Sequence, residues 1–152
     1  MQIVIFTGIP GCGKSHFYHA FFFRTHMRIN LDMLRTRSRE WQFVQTCIQT
    51  KTKCVIDNTN VTTEHRRKYI DIAKAAGYRV EGYYFDVALE IAIQRNRLRP
   101  PAQVVPARGI QAMAKKLQIP TPEEGFDTLY RVQMPQAGSY VISFLHPHES
   151  CR

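Results

Sequence analysis

Gly8-Ile9-Pro10-Gly11-Cys12-Gly13-Lys14-Ser15 is the stretch that decides the fold. It satisfies the pattern G-x-x-x-x-G-K-[ST], and its surroundings matter as much as the pattern. Gln2-Ile3-Val4-Ile5-Phe6-Thr7 precedes it and reads as a buried strand. Ser15 to Phe23 follows and reads as a helix with Phe17, Ala20 and Phe21 on one stripe. Strand, glycine-rich loop and helix in that order form a phosphate-binding loop. Its glycines let backbone N–H groups turn inward around an anion, and the helix start adds its unpaired N–H groups and positive dipole end. Gly8, Pro10, Gly11, Cys12, Gly13, Lys14 and Ser15 are therefore expected to cradle the phosphates of a nucleoside triphosphate, ATP or GTP. Lys14 would reach the β- and γ-phosphates, and the Ser15 hydroxyl would ligate Mg²⁺.

Working outward, strands alternate with helices. Met27 to Asn30 is a short strand. Ser38 to Gln49 is a helix with Trp41, Val44 and Ile48 on one face, and Lys53 to Asp57 is a strand. Thr62 caps a helix that places Tyr69, Ile72, Ala73 and Ala76 on one face and ends at Gly77. Arg79 to Phe85 is a strand, and Ala88 to Leu98 a helix stopped by Pro100-Pro101. Pro106 fits the first turn of a helix through Leu117. Thr128 to Met134 and Tyr140 to Leu145 read as strands of a hairpin. This alternation predicts an α/β domain with a mainly parallel sheet. Ligands then belong at the carboxyl ends of the strands, where Asp32 and Asp57-Asn58-Thr59-Asn60 follow the second and third.

Composition narrows the class. The 152 residues suit one domain, and a hydrophobic content of 44% excludes a disordered chain. No apolar run approaches the roughly 20 residues needed to span a bilayer, and no secretory signal pattern is visible. Cys12, Cys47, Cys54 and Cys151 show no C-x-x-C spacing, which favours a reduced, cytoplasmic setting over zinc or disulfides. Lys and Arg number 21 against 12 acidic residues, a net charge of +9. The arginines cluster as Arg24, Arg28, Arg35, Arg37, Arg39 and again as Arg95, Arg97, Arg99, Arg108. Arginine suits a polyanionic partner because its planar fork binds phosphate bidentately; the plain alternative is a solvated helix face.

Five blocks then occur in order: Gly8 to Ser15, Ile29-Asn30-Leu31-Asp32-Met33-Leu34-Arg35, Val55-Ile56-Asp57-Asn58-Thr59-Asn60, Arg95-Asn96-Arg97-Leu98-Arg99, and Ile119-Pro120-Thr121-Pro122-Glu123-Glu124-Gly125-Phe126. Together they resemble the kinase domain of 5′-hydroxyl polynucleotide kinases, phage and mammalian, from about Ile3 to Met134. The resemblance implies a P-loop NTPase, adenylate-kinase-like three-layer fold. Residues 1–145 would form the kinase domain, with a small helical lid at about residues 88–117, and residues 146–152 a tail that links to another domain. It implies transfer of the γ-phosphate to 5′-OH ends of DNA or RNA in nucleic-acid repair, with Mg²⁺ as cofactor. Asp32 matches the general base and Arg35 the clamp on the 3′-side phosphate of the acceptor. Arg99 and Arg95 match lid arginines on the donor phosphates. Leu31 stands where relatives have arginine, which would alter the grip on the acceptor strand. No phosphatase motif is present, so a 3′-end activity is not expected of this chain.

Each role has a structural alternative. Asp32 is either the base or the cap of a helix beginning near Met33. Asp57 either touches Mg²⁺ through water or orders its loop. Asn58 and Asn60 form Asx turns, with Asn58 the candidate acceptor contact. Phe21-Phe22-Phe23 reads as core. The rival functions are a small-molecule P-loop kinase acting on a metabolite or antibiotic hydroxyl, and a nucleotide-switched binding module.

Overall fold

β1 (Gln2–Thr7) is the central strand, and its residues Ile3 to Phe6 are wholly buried. A strand covered on both faces needs no polar alternation, which is why this run is continuously apolar. The structure, a computed structural model, describes residues 1–136 and 138–145; the tail 146–152 and Ala137 of the predicted hairpin lie outside the described residues. The chain continues through α1 (Lys14–Phe21), β2 (Met27–Ile29), α2 (Leu31–Leu34), α3 (Arg37–Gln49), β3 (Cys54–Ile56), α4 (Thr63–Ala75), β4 (Arg79–Phe85), α5 (Leu89–Arg97), α6 (Ala107–Lys116), β5 (Thr128–Gln136) and β6 (Ser139–Phe144). The strand order is β2-β3-β1-β4-β5-β6. The first five are parallel, and β6 closes the sheet antiparallel to β5. No helix among the described residues is long and apolar enough to cross a membrane.

Successive side chains of β1 enter opposite layers. Ile3 and Ile5 join Ile29, Ile56 and Val80 under α3 and α4, which contribute Val44, Cys47, Tyr69, Ile70 and Ala73. Val4 and Phe6 face α1, α5 and α6 through Phe17, Tyr18, Ala92 and Ile110. This is the three-layer α/β fold with a mainly parallel sheet. An aromatic cluster fills the second layer: Phe6 meets Phe17 at 5.8 Å and Phe85 at 5.1 Å between centroids, both edge to face.

Several local expectations shift. The buried face of α1 is Phe17 and Tyr18 rather than Phe17, Ala20 and Phe21, because the helix stops at Phe21 and its cap residue Phe22 turns into the aromatic cluster. Phe21 and Phe23 are 50% and 60% exposed, so only Phe22 of the three is core. On α4 the buried set is Arg66, Tyr69, Ile70 and Ala73, while Ala76 is exposed. Thr62 does cap this helix, accepting from the His65 N–H at 3.2 Å. The helix considered near Met33 is present as α2, but it begins two residues earlier, at Leu31. Its N-cap is Asn30, whose Oδ1 accepts from the Met33 N–H at 3.0 Å. Asp32 is therefore not the cap, and its carboxylate is left exposed in the first turn.

Candidate functional site

Three loops meet at the carboxyl ends of β1, β2 and β3, and backbone and asparagine side-chain hydrogen bonds join them. Gly8 N–H donates to the Thr59 carbonyl at 2.9 Å, and the Asn60 side chain donates to the Phe6 carbonyl at 2.8 Å. Asn30 Nδ2 donates to the Asp57 carbonyl at 2.6 Å. The phosphate loop, the β2–α2 turn and the Asp57–Asn60 segment thus form one rim.

The loop Gly8–Ser15 has the backbone its glycines predict. Gly11 and Gly13 take φ of +83° and +95°, conformations that L side chains rarely adopt. At Gly11 a Cβ would also lie 2.2 Å from the Ala92 carbonyl oxygen, so α5 packs directly on the loop. Pro10 and Cys12 are buried within it. Lys14 folds back over the turn, its Nζ donating to the carbonyls of Gly8 at 3.0 Å and Ile9 at 3.1 Å. That concentrates positive charge at the mouth of the loop, where an anion would replace these carbonyls as partner.

Beside it, the Asp57 carboxylate is only 1% exposed. Ser15 Oγ donates to Asp57 Oδ2 at 3.4 Å. Arg28 occupies the same corner, with Nε 2.7 Å from Asp57 Oδ2 and Nη2 2.9 Å from Ser15 Oγ. Its Nη1 contacts Met33 Sδ at 3.2 Å, and its guanidinium carbon sits 5.8 Å from the centre of the Tyr18 ring. A hydroxyl and a buried carboxylate converging in this way form a hard oxygen donor set of the kind Mg²⁺ takes.

Asn58, 9% exposed, is engaged at both ends of its amide. Its Oδ1 accepts from the Leu31 N–H at 2.8 Å, and its Nδ2 donates to Glu40 Oε2 at 2.9 Å. Glu40 is fully buried on α3 and also receives the Tyr69 hydroxyl and Arg37 Nη1, the latter at 3.2 Å. Burial and the neighbouring Glu40 push the Tyr69 hydroxyl pKa well above its ordinary value, so it stays protonated and donates. Arg35 ends α2 at φ 75° and is exposed.

The helical segment after β4 supplies the remaining arginines. Arg95 Nη2 donates to the Met134 carbonyl at 3.1 Å, while its Nη1 is buried with no hydrogen-bond partner among the described residues. Asn96 bonds both backbone groups of Val105, at 2.6 Å and 3.0 Å, and so ties α5 to the turn before α6. α5 ends at Arg97, so Arg99 lies in the following turn rather than one helical turn above Arg95. Arg97 is exposed.

Three participants were not singled out from sequence. Arg28 stood in an arginine-rich stretch with nothing to say that it alone points inward, although β-strand alternation with the buried Ile29 offers a signal. Glu40 has the sequence context of a surface helix. Met134 covers the loop so closely that a Cβ on Gly13 would meet its Cε at 2.2 Å.

Comparison with known proteins places these features in context. Residues 32–120 match the family model AAA_33, described as an AAA domain. The bifunctional polynucleotide phosphatase/kinase of Schizosaccharomyces pombe is 29% identical over 135 residues, covering 86% of this chain and 33% of that protein. The L-seryl-tRNA(Sec) kinase of Methanococcus maripaludis is 24% identical over 145 residues, covering 83% of this chain and 56% of that protein. This chain thus spans between a third and about half of the length of these two relatives. The crystal structure of Chaetomium thermophilum Kti12 in complex with ADP-AlF3 shares the fold, with a TM-score of 0.68 at 14% identity over 88% of this chain and 89% of that one.

Proposed function

We propose that this chain, which belongs to the AAA_33 (AAA domain) family and has the architecture of a P-loop kinase, transfers the γ-phosphate of a nucleoside triphosphate to the 5′-hydroxyl end of DNA or RNA. The observation that carries this reading is the bridge made by Arg28. One guanidinium touches Ser15 of the phosphate loop, Asp57 and Met33, so α2 abuts the loop. Asp32 is the neighbour of Met33 and forms no side-chain hydrogen bond or ion pair with other described residues. An uncommitted, exposed carboxylate on the helix that Arg28 ties to the phosphate loop is what an alcohol acceptor needs.

In this reading Gly8, Pro10, Gly11, Cys12 and Gly13 hold the donor phosphates with their backbone, and Lys14 moves from its carbonyl partners to the β- and γ-phosphates. Ser15 would hold Mg²⁺, and Asp57 would hold it through water. The ion, when bound, neutralises charge on the β- and γ-phosphate oxygens. Asp32 takes the proton from the 5′-hydroxyl as its oxygen bonds to the γ-phosphorus; the bond to the bridging oxygen breaks and the nucleoside diphosphate leaves. Arg35 binds the phosphate on the 3′ side of the reacting nucleoside. Asn58 serves the acceptor through Leu31, the residue before Asp32. Arg99 and Arg95 meet charge on the donor from the helical lid, about residues 88–117. The similarity to the polynucleotide phosphatase/kinase and the net charge of +9 support a nucleic-acid acceptor. Such an enzyme would act in repair of broken ends.

End-labelling of matched 5′-OH DNA and RNA oligonucleotides with each of the four triphosphates tests this. Transfer to an oligonucleotide end is expected, and a 5′-phosphorylated control should accept nothing. The likeness to a seryl-tRNA kinase supports one further acceptor class, a hydroxyl carried by tRNA or a small molecule. Labelling of such an alcohol with none at 5′ ends would favour it. Nucleotide hydrolysis without any phosphorylated acceptor would favour a nucleotide-switched module.

A further inference from the structure

Arg28 is the middle residue of β2, a parallel strand of three residues. β2 and β3 pair with Arg28 opposite Val55 and Ile29 opposite Ile56. Ile29 is fully buried under α3 and α4, so alternation sends Arg28 to the other face, towards α1 and the phosphate loop. There its three nitrogens have three partners, Asp57 Oδ2, Ser15 Oγ and Met33 Sδ, and Tyr18 flanks the guanidinium. The Arg28 side chain is 23% exposed and that of Asp57 1%.

A carboxylate this deeply buried is costly without a counter-ion. Arg28 supplies it. The oxygens it engages, Asp57 Oδ2 and Ser15 Oγ, are the ones assigned above to Mg²⁺. A hydrated divalent cation on Ser15 Oγ, held to Asp57 through its water, would need the space that the guanidinium fills between these two oxygens and would be strongly repelled by it. A free cation must therefore displace Arg28 with no compensation for the guanidinium. A cation arriving on a triphosphate brings its own phosphate oxygens, which an arginine fork can bind bidentately.

We propose that Arg28 is a specificity-determining residue of the metal site: it holds the place of the cation between Asp57 and Ser15, excludes the free ion, and yields only to a metal–nucleotide complex. This rests on the reading of Ser15 and Asp57 as the metal-holding pair. Metal and donor then enter together, and the loop is never charged with a divalent ion in the absence of phosphate to transfer.

Mn²⁺ titration followed by the paramagnetic resonance of the free ion tests it, without nucleotide and with a non-hydrolysable triphosphate analogue. The wild-type chain is expected to take up Mn²⁺ only with the analogue. Arg28→Met should bind one equivalent of Mn²⁺ without nucleotide, at least tenfold tighter than wild type, and Arg28→Met/Asp57→Asn should lose that gain. Uptake of one equivalent by nucleotide-free wild type overturns the proposal without any variant. Equal uptake by wild type and Arg28→Met overturns it while the metal pair stands, provided Asp57→Asn weakens Mn²⁺–analogue binding tenfold or more. If Asp57→Asn binds the Mn²⁺–analogue complex as wild type does, the metal-pair reading falls and the role of Arg28 falls with it.

Discussion

The amide of Asn58 is clamped between the buried carboxylate of Glu40, 2.9 Å from its Nδ2, and the backbone N–H of Leu31, 2.8 Å from its Oδ1. Glu40 thereby sets which way the amide faces, and the amide sets where α2 starts. In Glu40→Ala the Asn58 amide and Tyr69 hydroxyl lose a buried acceptor, at about 1–3 kcal/mol for each orphaned group. Displacement of α2 should lower kcat by about 10- to 100-fold while triphosphate affinity holds. Glu40→Gln keeps an acceptor for Asn58 and should recover much of both. Denaturant midpoints, single-turnover rates and nucleotide titrations check these outcomes; equal loss of rate and nucleotide binding would disconnect Glu40 from α2.

Asp32 carries the chemistry in the proposed reaction. Asp32→Asn should lower kcat by about 10²–10⁴-fold, the usual worth of a general base. It should leave triphosphate binding and thermal stability unchanged, because the Asp32 carboxylate is exposed and Asn30 supplies the cap. A variant that turns over at the wild-type rate removes Asp32 from that role.

Arg35 sits at φ 75°, ψ −39°, an unfavourable conformation for any residue with a Cβ. Replacing it with glycine relieves the strain but frees the unfolded chain, for a net gain of about 1 kcal/mol. The same change removes the guanidinium proposed to clamp the acceptor. Arg35→Gly should therefore melt higher while its acceptor KM rises more than its donor KM. Opposite signs on stability and acceptor binding distinguish a functional strained arginine from an incidental one.

Arg66, fully buried, pairs with the partly buried Glu124, with Nε 2.8 Å from Oε1 and Nη2 3.0 Å from Oε2. Arg66 also donates to the Asn60 carbonyl at 2.8 Å, and Glu124 accepts from the Thr121 N–H at 2.8 Å. The pair thus ties α4 to the turn at Pro122–Glu124 and to the loop after β3. Glu124→Ala leaves Arg66 buried and uncompensated and should cost about 3–5 kcal/mol. Urea unfolding measures it; a loss under 1 kcal/mol would mean that water reaches Arg66.

His26 is held as the neutral ring. Its Nε2 lies 2.8 Å from Gln2 Oε1 and its Nδ1 2.7 Å from Thr25 Oγ1. Burial, helped by Lys53, lowers its pKa below the ordinary 6.5. As pH falls through about 6.5 the unfolded chain takes up this proton first, so stability present above that pH declines down to the folded pKa. Melting temperature should drop less between pH 7.5 and 5.5 in His26→Gln than in wild type. Parallel curves would show that His26 does not contribute.

The phosphate loop, the buried strands and the caps at Thr62 and Gly77 were legible because each is local: a few neighbouring residues carry the conformational rule. The hairpin and the α/β alternation followed for the same reason. The role of Asn30 as cap was hidden by Asp32, an equally good capping residue two positions on; which one caps depends on where the chain leaves β2, and that is set by pairing with β3. Tertiary structure alone decided that Glu40, on a helix of mixed polarity, is wholly buried, and that Arg28 among five nearby arginines turns to Asp57. Charges are long-ranged and their partners distant in the chain, 29 positions apart for Arg28 and Asp57. A sequence records which charges exist; only the packed layers choose which of them meet and which lose their water.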